Sequence, residues 1–181
     1  MLTEFQKQKF TKLFTTYDSD NCGQINLSDF AKIVEKVAEV RGLKANSPQS
    51  TALLEKYSYF WMRLQSKIDT DRDRKVSLEE WLNYYNGILH DEDRYESEIN
   101  VVVNMIFDVF DTDGQGTICI KEWIDFMAVH HIHRIYAEQS FAKIDINQDG
   151  FICKNEFLNV FRDFHYSNDP KALGNYLFMP Y

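Results

Sequence analysis

Apolar residues recur along most of this chain at helical spacing, and short polar stretches rich in Asp, Asn and Gly interrupt them four times. Leu2, Phe5, Phe10, Leu13, Phe14 and Tyr17 form the first apolar stripe, and Thr3 with Gln6 has the spacing of a capping box at its start. Ser47–Pro48 has the form of an N-cap followed by a first helical position. Ile99, Val102, Val103, Ile106, Phe107 and Phe110 make a further stripe, as do Phe157, Val160, Phe161 and Phe164. The pattern predicts an all-α protein of helix–loop–helix units.

The four interruptions are copies of one motif. They are DSDNCGQINLSD at 18–29, DTDRDRKVSLEE at 69–80, DTDGQGTICIKE at 111–122 and DINQDGFICKNE at 145–156. Each starts with Asp, places polar side chains at alternate positions and is followed by an aromatic residue: Phe30, Trp81, Trp123 and Phe157. Ca²⁺ is a hard ion that takes six to eight oxygen ligands. A twelve-residue loop supplies them from side chains at positions 1, 3 and 5, the backbone carbonyl at 7, a water held by 9 and an acid at 12. Position 6 turns sharply and favours Gly. The β-branched residue at position 8 pairs with its counterpart in a neighbouring loop, so Ile25 is expected opposite Val76 and Ile118 opposite Ile152.

Loop by loop, the fourth fits most closely, with Asp145, Asn147, Asp149 and Glu156, the carbonyl of Phe151, and Gly150 at the turn. The second offers Asp69, Asp71, Asp73, Glu80 and the carbonyl of Lys75, with Arg74 in the glycine position. A non-glycine residue there needs positive φ, at roughly 1 kcal/mol, which four carboxylates around a divalent ion should outweigh. The third offers Asp111, Asp113, Gln115, Glu122 and the carbonyl of Thr117. The first has Asp18, Asp20, Asp29 and the carbonyl of Gln24, but Cys22 stands where an oxygen belongs. A thiol suits a hard cation poorly, and Asp29 reaches less far than Glu. Three Ca²⁺ sites are therefore expected. Whether the first loop stays empty, binds weakly or prefers the smaller Mg²⁺ is left open.

These loops identify the chain as similar to EF-hand proteins. Their uneven spacing, with a lengthened first interval and a tail, resembles the invertebrate sarcoplasmic calcium-binding proteins. DRDRKVSLEEW and the tail FHYSNDPKALGNYLF resemble the calexcitin group in particular. That resemblance implies a compact four-hand fold in two pairs, at about 1–92 and 93–181, serving as a cytosolic calcium buffer or calcium-signalling protein. A fainter resemblance, through the D-P-x-A-x-G pattern at 169–174, is to calcium-triggered photoproteins that enclose an apolar ligand; the Trp expected after His165 is missing.

Composition narrows the choice. The formal net charge of −8 disfavours nucleic-acid binding, which rests on Lys and Arg at phosphates. Three Ca²⁺ would bring that charge to −2. No run of residues is apolar enough for a membrane span, and MLTEFQKQKF lacks the features of a signal peptide, so a cytoplasmic protein is expected. No phosphate loop, zinc-protease helix or nucleophile elbow appears, so an enzyme is not expected. Five Met against 27 aromatics suit a permanently packed core better than the adaptable groove of a sensor, although a sensor exposing an apolar face to a protein or membrane remains the alternative. A monomer suffices.

Three local expectations complete the reading. His130, His131 and His133 fall near the end of the helix after the third loop and read as linker residues rather than metal ligands. Cys119 and Cys153 should lie diagonally, about 8 Å apart at Cα and beyond disulfide reach. Leu173, Tyr176, Leu177, Phe178 and Met179 make the tail too apolar for a free end, and it should fold over the groove between the two pairs.

Overall fold

The computed structural model describes residues 1–178. Helix α1 (Glu4–Tyr17) opens on the expected capping box, with the Thr3 hydroxyl accepting from Gln6 N and the Gln6 amide oxygen accepting from Thr3 N. It leads through the first loop, with β1 (Gln24–Ile25), into α2 (Leu27–Val40). Ser47 and Pro48 start α3 (Pro48–Ile68), and β2 (Val76–Ser77) and α4 (Leu78–Ile88) follow. The second half comprises α5 (Glu92–Arg94), a π-helical turn (Tyr95–Asn100), α6 (Val101–Phe110), β3 (Thr117–Cys119) and α7 (Ile120–Val129). It continues with α8 (Arg134–Ile144), β4 (Phe151–Cys153), α9 (Lys154–Tyr166) and a 3₁₀ turn (Leu173–Tyr176). The fold is all-α apart from these short strands.

β1 pairs antiparallel with β2, setting Ile25 opposite Val76, and β3 pairs with β4, setting Ile118 opposite Ile152. All four side chains are fully buried, so position 8 joins the loops and anchors each joined pair in the core. The aromatics knit that core together. Phe10 stacks on Tyr85 with centroids 4.2 Å apart, Trp81 packs on Phe14, Tyr17 and Tyr85, and Phe157 lies among Phe107, Trp123, Phe126 and Phe161.

Two cations of the first half reach across to helix ends of the second. Lys9 of α1 is completely buried and its ammonium donates to the carbonyls of Phe164 and, at 2.7 Å, Ser167, at the end of α9. Arg41, just after α2, donates to the carbonyl of Val109 in the last turn of α6 and lies over the Phe110 ring. The last carbonyls of a helix lack intrahelical partners and carry partial negative charge, which explains both placements. Burial pulls the Lys9 pKa down to about 8, against the opposing pull of Asp163, so the ammonium stays mainly charged at neutral pH.

Three expectations need correction. His130 is a core residue: it is buried, its Nδ1 lies 2.8 Å from the carbonyl of Phe126, and its ring packs on Phe126, Phe178 and Tyr17. His133 caps α8, and only exposed His131 behaves as a linker residue. The segment before the third loop is not one regular helix, because the π turn interrupts it ahead of α6. The tail does fold back, but its seat is the second half rather than the groove between the halves. The 3₁₀ turn packs on α9 and α8, and Phe178 is buried among Phe126, His130, Phe161 and Phe164. Met179 lies outside the described residues. Gly174 allows this seat: its N donates to Asp163 Oδ2, and a Cβ there would run into the backbone of Asp163 and Phe164.

Candidate metal centres

One hydrogen-bond scaffold recurs in all four loops. The position-1 carboxylate accepts from the backbone N of position 6: Asp18 from Gly23, Asp69 from Arg74, Asp111 from Gly116 and Asp145 from Gly150. The position-3 side chain accepts from the position-5 N: Asp20 from Cys22, Asp71 from Asp73, Asp113 from Gln115 and Asn147 from Asp149. The position-12 acid accepts from position 2 with one oxygen and from position 9 with the other. These bonds join Asp29 to Ser19 and Asn26, Glu80 to Thr70 and Ser77, Glu122 to Thr112 and Cys119, and Glu156 to Ile146 and Cys153. Position 9 is also the N-cap of the exit helix and position 12 its N3 residue, so one acid closes the loop and caps the helix.

Within this scaffold Asp69, Asp71 and Asp73 bring a ligand atom each within 4.8 Å of one another, as do Asp111, Asp113 and Glu122. Asp69 Oδ1 is buried with no hydrogen-bond partner, while Oδ2 accepts from Arg74 N and from Gln65 Nε2 at 3.0 Å. A buried carboxylate oxygen without a donor calls for a cation, and an all-oxygen donor set suits a hard divalent one. Burial disfavours ionisation of Glu80, but hydrogen bonds from the backbone and hydroxyls of Ser77 and Thr70 outweigh it and hold its pKa down to about 2. Glu122 is likewise held below its ordinary value, bonds from Thr112 and Cys119 overcoming burial. Both are therefore carboxylates at neutral pH.

The fourth loop, the closest fit in sequence, gathers no such acidic trio among the described residues. Asn147 fills position 3, and its Nδ2 donates to Asp149 Oδ2 at 2.9 Å. The carbonyls of Lys75, Thr117 and Phe151 belong to the paired or adjoining loop segments, and the Lys75 ammonium donates to Gln24 Oε1 across to the first loop at 3.0 Å.

The first loop also assembles a trio, Asp18, Asp20 and Cys22, but its chemistry differs. The Cys22 thiol lies 3.2 Å from the Gln24 carbonyl oxygen and donates to it, so the position-5 side chain engages the oxygen expected to serve as a ligand. The hydrogen bond with Asp20 raises the Cys22 pKa, which keeps the sulfur a neutral thiol. Asp29 is fully buried, and Lys32 Nζ stands 3.4 Å from Asp20 and 3.9 Å from Asp29. A built-in cation thus stands beside two of the loop's acids.

Sequence reasoning passed over Lys32 and Gln65. The i, i+3 spacing of Asp29 and Lys32 and the i, i+4 spacing of Gln65 and Asp69 were available signals. It also weighed backbone strain at position 6 alone. Position 4 has positive φ in every loop, at Asn21, Arg72, Gly114 and Gln148, so the second loop places two arginines, Arg72 at φ 65° and Arg74 at φ 67°, in the left-handed region. Cys119 and Cys153 are free and lie diagonally in the β3–β4 pair, as expected.

Known proteins show the same loops. The EF-hand family model matches residues 105–127 and 137–161, which contain the third and fourth loops. The segment holding these two loops matches the EF-hand family. The chain is 26% identical to Calexcitin-1 of Caenorhabditis elegans over 96% of its own length and 86% of the relative's. In structure it is similar to a sarcoplasmic calcium-binding protein from amphioxus, with a TM-score of 0.78 at 19% identity, covering 99% of this chain and 100% of that one. It is also similar to a coelenterazine-binding protein from Renilla muelleri, with a TM-score of 0.77 at 21% identity and 98% of each chain covered. Among the described residues no helix is long and apolar enough to cross a membrane.

Proposed function

We propose that this EF-hand protein binds Ca²⁺ reversibly at its second, third and fourth loops and serves as a cytosolic calcium buffer. The ligands are Asp69, Asp71, Asp73, Glu80 and the Lys75 carbonyl; Asp111, Asp113, Gln115, Glu122 and the Thr117 carbonyl; and Asp145, Asn147, Asp149, Glu156 and the Phe151 carbonyl. The first loop, with Asp18, Asp20, Asp29 and the Gln24 carbonyl, is a weak site at which Mg²⁺ competes. Residues 1–92 and 93–181 each carry one strand-paired couple of loops.

The observation that carries this reading is the common scaffold: in every loop, backbone N–H groups fix the carboxylates of positions 1 and 12. Ligands held in place before the ion arrives need less ordering on binding, which raises affinity. The seated tail favours a buffer over a sensor, since Leu177 and Phe178 already cover the apolar surface of the second half. Calorimetric titration with Ca²⁺ in millimolar Mg²⁺, alongside an apolar fluorescent probe, tests both parts. Three tightly bound ions with no gain in probe signal are expected. Fewer than two would overturn the site assignment, and a strong gain would replace the buffer with a sensor.

A further inference from the structure

The second loop carries two side chains that its scaffold does not use. Arg72 at position 4 and Arg74 at position 6 stand in the left-handed region, where the other loops place Asn21, Gly114 and Gln148 at position 4 and Gly23, Gly116 and Gly150 at position 6. An L side chain held there costs free energy that glycine avoids. Both arginines are exposed, and among the described residues neither side chain has a hydrogen bond, ion pair or ring contact. Arg74 serves the loop only through its backbone N, which donates to Asp69 Oδ2 at 3.0 Å and would do the same from glycine. The two guanidinium groups thus add strain, and positive charge beside a proposed cation site, with no compensating contact inside the chain. Backbone strain of this kind clusters at functional sites.

Neighbouring charges sharpen the picture. From residue 63 to residue 80 there are five cations, Arg63, Lys67, Arg72, Arg74 and Lys75, and five acids, Asp69, Asp71, Asp73, Glu79 and Glu80. Four of those acids are the ligands proposed for the ion. One bound Ca²⁺ therefore carries the segment from zero to +2, on a chain whose formal net charge is −8. Three of the cations already have partners: Arg63 donates to the Ser97 carbonyl, Lys67 faces Glu98 at 3.8 Å, and Lys75 donates to Gln24. The free charge is that of two guanidinium groups on one short turn. A membrane surface is recognised by larger basic clusters, roughly four to eight residues. The stretch 70–75, TDRDRK, also exposes no apolar side chain that could enter a bilayer, and the Val76 that follows is buried. Two forked donors instead match two carboxylates, each guanidinium pairing with one through parallel N–H···O bonds.

We propose that Arg72 and Arg74 form a docking point for an acidic segment of a partner protein, and that Ca²⁺ in the second loop switches it on by neutralising Asp69, Asp71, Asp73 and Glu80. With the loop empty, those carboxylates repel the incoming acids. With it filled, the arginines act unopposed. The effect runs both ways, because linked sites change each other's affinity by the same factor, so the acidic segment tightens Ca²⁺ binding at that loop. Docking of this kind needs no newly exposed apolar surface and is compatible with the seated tail. The inference rests on the assignment of Ca²⁺ to the second loop.

The test is fluorescence anisotropy of a rhodamine-labelled hexaglutamate peptide titrated with the full chain at low salt, in Ca²⁺ and in EGTA. A dissociation constant of about 100 μM or tighter is expected in Ca²⁺, with binding about tenfold weaker in EGTA. The Arg72→Gly/Arg74→Gly variant leaves the scaffold bonds in place and relieves the strain. It should weaken peptide binding about tenfold, with circular dichroism confirming its fold. Arg72→Lys/Arg74→Lys keeps the charge without the fork and should lie between the two. Peptide binding that is absent, or unchanged in the glycine variant, overturns the proposal, as does tighter arginine-dependent binding to phosphatidylserine vesicles than to the peptide. Calorimetry on the unaltered chain and on Glu80→Gln reads whether the second loop fills. A filled loop without arginine-dependent docking removes this proposal alone. An empty loop removes the calcium assignment, and docking that is equal in Ca²⁺ and EGTA removes the calcium switch.

Discussion

The first and second loops share a strand pair yet use equivalent positions differently. In the second, Asp73 at position 5 joins Asp69 and Asp71, and Asp69 retains a buried oxygen without a donor. In the first, Cys22 replaces that carboxylate and donates to the Gln24 carbonyl, while Lys32 stands against Asp20. Both loops nevertheless build the same bonds from positions 1, 3 and 12, and both bury their position-8 side chain. The scaffold that shapes such a loop is therefore separable from the donor set that fills it. A loop with poor ligand chemistry can persist because its partner needs the strand.

The comparison breaks most sharply in the second loop. Glu80→Gln keeps the shape of the side chain but removes its charge, and should lower affinity there by about 100-fold, so that one fewer Ca²⁺ is counted by calorimetry. In the opposite direction, Cys22→Asp with Asp29→Glu gives the first loop the missing oxygen and the longer acid. One additional Ca²⁺ should then bind, at about 10⁻⁵ M or tighter. An unchanged count would show that Lys32, rather than Cys22, governs that loop.

Acidification separates the core from the loops. Burial lowers His130 to about 4 and His165 to about 3, against the opposing effect of their carbonyl contacts, so both are neutral in the folded protein near pH 7. The unfolded chain binds protons first, near pH 6.5. Stability is thus full above that value and falls as pH drops toward 4 and then 3, each unit of difference being worth about 1.4 kcal/mol. Glu80, with its pKa lowered to about 2, adds a loss that begins only below its unfolded value near 4.5. Melting temperature followed from pH 7 to pH 4 should decline from about pH 6, and His130→Gln should flatten the curve.

Smaller effects refine the contrast. Arg74→Gly relieves positive-φ strain and, net of the added chain entropy, should stabilise by about 0.5–1 kcal/mol, raising the melting temperature by about 2 °C. Lys32→Ala removes the cation beside the first loop. Because the ion pair is largely exposed, Mg²⁺ affinity there should rise only about two- to fivefold.

Much of this was legible in the chain. Capping at Thr3 and Ser47, the facing of Ile25 with Val76 and of Ile118 with Ile152, and the four-loop layout follow from local chemistry and a fixed spacing. What escaped depends on contacts between distant segments. His130 lies in the core because Phe178, 48 residues later, returns to cover it. The π turn has no marker in YESEIN, and the tail's seat depends on the close approach of Gly174 to α9.

The placement of Lys9 and Arg41 has a mechanical consequence. Each occupies carbonyls in the final turn of a helix belonging to the other half, so parting the halves must break these bonds and hand the carbonyls of Phe164, Ser167 and Val109 over to water. Because α6 runs directly into Asp111, the Arg41 contact adjoins the third loop, and strain on that bond would reach the loop's first residue.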